Sequence, residues 1–223
     1  MRTPVALIIF NRPDTTEQVF SKIAEARPPQ LFVIADGPRA EYPEDIGKCA
    51  AARSIIERVD WECDVFKNYS DINLGCGKRP ATGISWVFEN VSEAIILEDD
   101  CVPDITFFHF CDEILAKYRD DERVMSVNGR NDICGQHRML YSYGFVHMMS
   151  CWGWATWRRA WKHYDVSIRL WPELRSKNWL SDIFSDKGAV EYWKNIFNHT
   201  YKNHQEIDYW DYQWALACWA QNG

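Results

Sequence analysis

Three acidic residues in a row, Glu98-Asp99-Asp100, directly follow the apolar run Ala94 to Leu97. Like charges this close raise one another's pKa and cost stability unless a cation or hydrogen-bond donors compensate them. A divalent ion with few protein ligands, its other positions taken by water or phosphate, is the simplest compensation, and that chemistry describes Mn2+ or Mg2+. Side chains alternate as a strand ends, so Glu98 and Asp100 are expected to point together and Asp99 away. Asp100 is then the direct ligand and its neighbours play supporting roles. A second cluster, Asp208-Tyr209-Trp210-Asp211-Tyr212-Gln213-Trp214, sets carboxylates among aromatics. A carboxylate in a partly dry aromatic pocket has a raised pKa, which suits a general base. Asp208 reads as the N-cap of a terminal helix, which leaves Asp211 the better catalytic candidate.

Polar residues also follow two other apolar runs: Asn11-Arg12-Pro13-Asp14 after Val5 to Phe10, and Asp36-Gly37-Pro38-Arg39 after Leu31 to Ala35. Taken alone, each is equally a turn or a helix cap. The stretch Gly75-Cys76-Gly77-Lys78-Arg79 invites a phosphate reading but fits neither glycine fingerprint. The residue after Lys78 is Arg79 rather than Ser or Thr, and the third glycine of a G-x-G-x-x-G falls on Pro80. ATPase and dinucleotide oxidoreductase readings therefore lose their main support. Lys78 and Arg79, just before an expected helix, suit either a diphosphate or a charged surface.

The elements that must position these residues alternate. Strands are expected at Val5 to Phe10, Leu31 to Ala35, about Cys63 to Lys67, Ala94 to Leu97 and Arg123 to Val127. Helices are expected from Asp14, from about Glu44 to Arg58, Thr82 to Glu89 and Asp104 to Tyr118, and over Trp214 to Ala220. Short apolar strands separated by helices imply an α/β fold, a mostly parallel sheet with helices on both faces. Ligands of such sheets bind beyond the carboxyl ends of the strands, which brings the three polar segments to one edge.

One domain over residues 1–223 is expected, with a distinct second half, because 10 of the 12 tryptophans fall after residue 150. The spacing of Trp154, Trp157 and Trp161 predicts one helical face, a core face first and a platform for sugar rings second.

The chain has 223 residues, 25 Lys and Arg against 32 Asp and Glu, and a net charge of −7. Without a basic stripe, a dedicated nucleic-acid binder is excluded. Val5 to Phe10 falls far short of the roughly 18–20 apolar residues of a membrane helix. Eight cysteines show no C-x-x-C pair, so they are read as reduced and mostly buried in a cytoplasmic protein. The six histidines have no metal-ligand spacing.

In this order the motifs resemble those of the nucleotide-sugar glycosyltransferases of the GT-A fold, closest to the N-acetylglucosaminyltransferase I type and its bacterial relatives. The likeness runs from Val5 to about Trp219. By that resemblance Arg12, in Ile9-Phe10-Asn11-Arg12, holds the nucleotide and Asp36 contacts base or ribose; from the residues themselves, Asn11, Lys78, Arg79 and Asp99 are further candidates for binding the donor at that edge. The run from Glu98 through Cys101-Val102-Pro103-Asp104 to Phe107-Phe108 resembles the family's metal motif. It implies that Asp100 binds the ion bridging the donor diphosphate and that Glu98 lies near the donor sugar. Asn131-Asp132 and Gly153-Trp154 resemble segments lining the acceptor side, and Trp210-Asp211 the late pair that carries the base. The family's Asp-Asp after Trp is here Asp211-Tyr212, and the segment that often closes the donor site does not follow Gly223.

The resemblance divides the domain into a nucleotide-sugar half, 1–128, and an acceptor half, 129–223, with the natural chain expected to continue. It implies a GT-A, Rossmann-like mixed sheet. The implied activity is Mn2+- or Mg2+-dependent transfer from a UDP-sugar to a hydroxyl of a glycan, glycolipid or lipid-linked saccharide. Inversion at the anomeric carbon is expected, in polysaccharide biosynthesis, in the cytoplasm or peripherally at the inner membrane face. The rivals are a sugar nucleotidyltransferase, which wants a glycine-rich basic loop where Asn11-Arg12-Pro13 stands, and a non-catalytic carbohydrate-binding protein.

Overall fold

The computed structural model describes residues 1–130 and 141–223. The first hundred residues fold as four strands with intervening helices: β1 (Val5–Ile9), α1 (Pro13–Ala26), β2 (Gln30–Ala35), α2 (Glu44–Ile56), β3 (Asp64–Tyr69), α3 (Gly75–Asn90) and β4 (Glu93–Glu98). There follow α4 (Ile105–Lys117), β5 (Val127–Asn128), β6 (Trp154–Trp157) and α5 (Arg158–Trp161). Helices α6 (Trp171–Ser176), α7 (Leu180–Ile183), α8 (Lys187–Asn203) and α9 (Asp211–Ala220) complete the described residues.

The six strands form one sheet in the order β3-β2-β1-β4-β6-β5. β1 runs parallel to β2 and β4, and β2 parallel to β3, whereas β6 is antiparallel to both β4 and β5. The α/β architecture, with a mostly parallel mixed sheet flanked by helices, is thus the one expected.

Period-two alternation explains why the central strands read as unbroken apolar runs. Val5, Leu7 and Ile9 face a core closed by Val19, Phe20 and Ile23 of α1, Ile55 of α2 and Phe108 of α4. Ala6 and Ile8 face the opposite core, under Ile84 and Val87 of α3 and Trp214 of α9.

Four expectations need correction. Trp154 and Trp157 lie on strand β6 rather than on a helix with Trp161. Three residues apart on a strand, they point to opposite faces, Trp154 into the α3/α9 core and Trp157 into the α1/α4 core. Helix α3 begins at Gly75, well before Thr82, so the glycine-lysine-arginine stretch is its first turns and not a loop. β5 covers Val127 and Asn128 and not the run from Arg123. Finally, α9 has Trp210 as its N-cap, and Asp208 caps another helix, described below.

Eight of the ten C-terminal tryptophans are buried, so their excess builds core rather than surface. Trp154 stacks on Trp210 at 5.7 Å and Trp161 on Tyr164 at 4.4 Å. Among the described residues no helix is long and apolar enough to cross a membrane.

Candidate functional site

The carboxyl ends of β1 and β4 lie side by side, with Ile8 opposite Glu98 in the register. This puts Asn11 and Arg12 beside the acidic run. Asp99 turns inward, 2% exposed, and accepts the Phe10 amide at 3.1 Å and an Arg12 Nη2 hydrogen bond. Asp100 points outward and accepts Arg12 Nη1 at 2.8 Å, its side chain 48% exposed. One guanidinium therefore spans two adjacent carboxylates and supplies part of the compensation that three acids in a row demand.

Among the described residues, Glu98 has no such guanidinium partner. Burial, reinforced by the charges of Asp100 and Asp99, pushes its carboxyl up to about 7, against the opposing pull of Arg12. Asp211, the first residue of α9, also adds its charge to Glu98, so the two acidic clusters that lie far apart in sequence come within electrostatic reach of each other. The Asp211 carboxyl is itself raised by burial, opposed by hydrogen bonds from its own amide and that of Tyr212.

Beside Asp211 opens a cavity of about 210 Å³, walled by Tyr212, Trp193, Trp219, Cys151 and the exposed Trp152. It holds an aromatic surface and a carboxylate with a raised pKa within one space, as a site that deprotonates a hydroxyl on a stacked ring requires.

The remaining expected residues divide. Asn11 lies at the edge but its amide donates to Asp45 Oδ1 at 2.7 Å. Asp36 is 6% exposed and its oxygens are taken up by the amides of Gly37, Leu74 and Gly75 and the Asn73 side chain, all at 2.9–3.2 Å. Burial raises its pKa while those amides oppose the rise. It fastens the start of α3 to the end of β2. Arg79 is 5% exposed, turned away from the acidic run, with its guanidinium on the backbone and side-chain oxygens of Asn68. Lys78 is exposed on the first turns of α3. Trp154 is wholly buried and lies in the core rather than at a ligand surface; Trp152 is the exposed indole of that segment. Asn131-Asp132 lie outside the described residues.

Two groups at this edge were not expected. Asp45, wholly buried at the start of α2, accepts from Asn11 and from Arg39 Nε at 2.7 Å, tying the segments after β1 and β2 together. Its hydrogen bonds with Arg39 hold its carboxyl well below the usual range. The Arg39 guanidinium lies 4.0 Å over the half-exposed ring of Tyr42. Arg53 donates to the carbonyls of Asp36 and Ser70 at 3.0 and 2.6 Å.

Among the described residues no group of three or more His, Cys, Asp or Glu is arranged to hold a metal ion. The donor set at this edge, one outward carboxylate on Asp100 with an arginine beside it, fits an ion that takes most of its ligands from phosphate and water. No protein-family model matches the chain, and no curated protein matches it significantly.

Proposed function

We propose that this chain is a GT-A glycosyltransferase, using Mn2+ or Mg2+ to transfer a sugar from a nucleoside diphosphate donor, UDP-sugar in the first instance, to a hydroxyl of a glycan or lipid-linked saccharide. The observation that carries the reading is the meeting of Arg12, Glu98, Asp99 and Asp100 with Asp211 and its aromatic cavity at the carboxyl edge of the sheet.

Asp100 would hold the ion, which when bound neutralises the charge that develops on the leaving diphosphate. Arg12, already beside Asp99 and Asp100, is placed to meet the same phosphates. Asp211 accepts the proton of the acceptor hydroxyl, and its raised pKa brings it nearer to that task. An acceptor seated in the cavity beside Asp211 and a donor seated on Arg12 and Asp100 would react from opposite sides, with inversion at the anomeric carbon. The aromatic walls favour a sugar ring as acceptor. The protein would work in the cytoplasm, peripherally at the membrane where its acceptor is lipid-linked.

Calorimetric titration of UDP with and without Mn2+, on the wild type and on Asp100→Ala, tests the donor half. Binding that needs both the ion and Asp100 supports the reading and opens a screen of UDP-sugars against glycan acceptors. Absence of binding in every state removes the UDP-dependent mechanism and favours carbohydrate binding without catalysis.

A further inference from the structure

The glycine-rich turn at the start of α3 has a different use from cradling a phosphate. This helix has no side-chain cap of its own, since its N-cap is Leu74. Its first amides are satisfied instead by two distant carboxylates. Asp36 takes those of Leu74 and Gly75, and Asp208, 131 residues away, takes that of Gly77 at 2.7 Å. Negative charge is favoured there by the helix dipole.

Both glycines are explained by that contact. Gly75 has φ +82, and a Cβ on it would stand 2.6 Å from Asp208 Oδ1. A Cβ on Gly77 would stand 2.8 Å from the Tyr209 amide nitrogen and 3.1 Å from the Ile207 carbonyl, which are backbone atoms that no rotamer can move aside. The chain over 207–209 therefore lies directly on the first turn of α3, and α9 begins immediately afterwards with Asp211. In that same turn the Cys76 thiol is pushed up first by burial and then by the charges of Glu98, Asp208 and Asp211, so it senses both acidic clusters.

We propose that Asp208 is a positioning residue: by seating the 207–209 segment on the glycine turn of α3, it sets Asp211 against the Glu98–Asp100 cluster. The assignment of Asp211 as the base rests on the glycosyltransferase reading; the seating itself does not. Two arms keep the failures apart.

The first arm needs no activity. Alkylation of Cys76 by iodoacetamide, followed by peptide mass mapping, reports the negative charge held near its thiol. Asp211→Asn should speed it roughly twofold in the wild-type background, because one nearby charge is lost. In an Asp208→Ala background, and equally in Gly77→Ala, the same substitution should have no effect, since Asp211 has moved away. Asp208→Asn keeps an oxygen for the Gly77 amide and should restore the coupling. An equal acceleration in all backgrounds, or none in the wild type, overturns the proposal.

In the second arm, Asp208→Ala should lower kcat about tenfold, while the affinity for UDP with Mn2+ stays within roughly twofold of wild type, because the change in Asp211 placement leaves Arg12 and Asp100 untouched. Loss of the Cys76 coupling with kcat unchanged overturns the link to Asp211 as base. Failure of the wild type to bind UDP defeats the UDP-dependent reading and leaves the alkylation arm to decide the seating alone. Unfolding is monitored by thermal melting, and the exposure of Asp208 makes its substitution the mildest of the set.

Discussion

Glu98→Gln should make the folded protein more stable at neutral pH, and the gain should depend on pH in a defined window. The carboxyl titrates near 4.5 when free and at about 7 in the fold, first because it is buried and then because Asp100 and Asp99 lie beside it. Between those two values the folded protein holds a proton that the unfolded chain has released. Stability contributed by the protonated form is therefore complete below 4.5 and is lost as pH rises through 7. Each pH unit in that interval is worth about 1.4 kcal/mol, so the ionised glutamate costs the fold about 3 kcal/mol at pH 8, and glutamine, which never ionises, avoids the cost.

Urea unfolding of wild type and variant at pH 5 and pH 8, in chelator, measures this. With m roughly 3 kcal/mol/M for a chain of this size, the variant's midpoint should exceed the wild type's by about 1 M at pH 8 and by little at pH 5. Asp36, Asp99 and Asp211 also have raised values, so only the difference between the two proteins is assigned to Glu98. Parallel curves across the window would refute the account of Glu98 as an acid whose ionised form is disfavoured by burial and by its neighbours.

Asp211→Asn should lower turnover by about 10² to 10⁴ while UDP binding survives; a rate equal to wild type in a transfer assay removes Asp211 from the chemistry. Gly83→Ala should destabilise by about 1–3 kcal/mol in denaturant melts, because its Cβ would press on Ile34 Cγ2 and Cδ1 where α3 lies on β2. Thr156→Val, which keeps the shape of a buried side chain but removes its 2.6 Å hydrogen bond to the Met125 carbonyl, should cost about 1–2 kcal/mol by the same measurement. Asp45→Asn should weaken the joint hold on Asn11 and Arg39 and lower Tm; a Tm equal to wild type would show that the buried contact adds nothing.

The parallel strands β1, β2 and β4 were legible because they are buried on both faces. Val5 to Ile9 and Leu31 to Ala35 could only be core, and the polar residues after them had to share an edge. β6 was not legible, because a spacing of three and four between Trp154, Trp157 and Trp161 is the helical signature, whereas a strand that serves two cores needs an indole on each face. The start of α3 was hidden by Gly75, Gly77 and Pro80, which announce a loop. The glycines are there for the close approach of Asp208 and Tyr209, a contact spanning more than half the chain. The approach of Glu98, Asp99 and Asp100 to Arg12 followed from strand ends alone. The buried roles of Asp36, Arg79 and Asp45 did not, because whether a charged side chain turns inward is decided by partners that no local pattern names.

The place of β6 between β4 and β5 has a consequence for how the chain is made. Glu93 to Ile96 of β4 must pair with Trp154 to Trp157, and among the described residues β5 joins the sheet through β6. A ribosome adding roughly 5–20 residues per second needs about 3–12 s to pass from one to the other. Over that interval β1, β2 and β4 can already be aligned with one apolar edge unfilled, the condition under which nascent strands capture one another. The opposite edge is better guarded, since β3 ends the sheet with Asp64 and Lys67 exposed on either side of Phe66. Slower synthesis between residues 98 and 154 would lengthen the vulnerable interval, and the yield of soluble protein should fall with it.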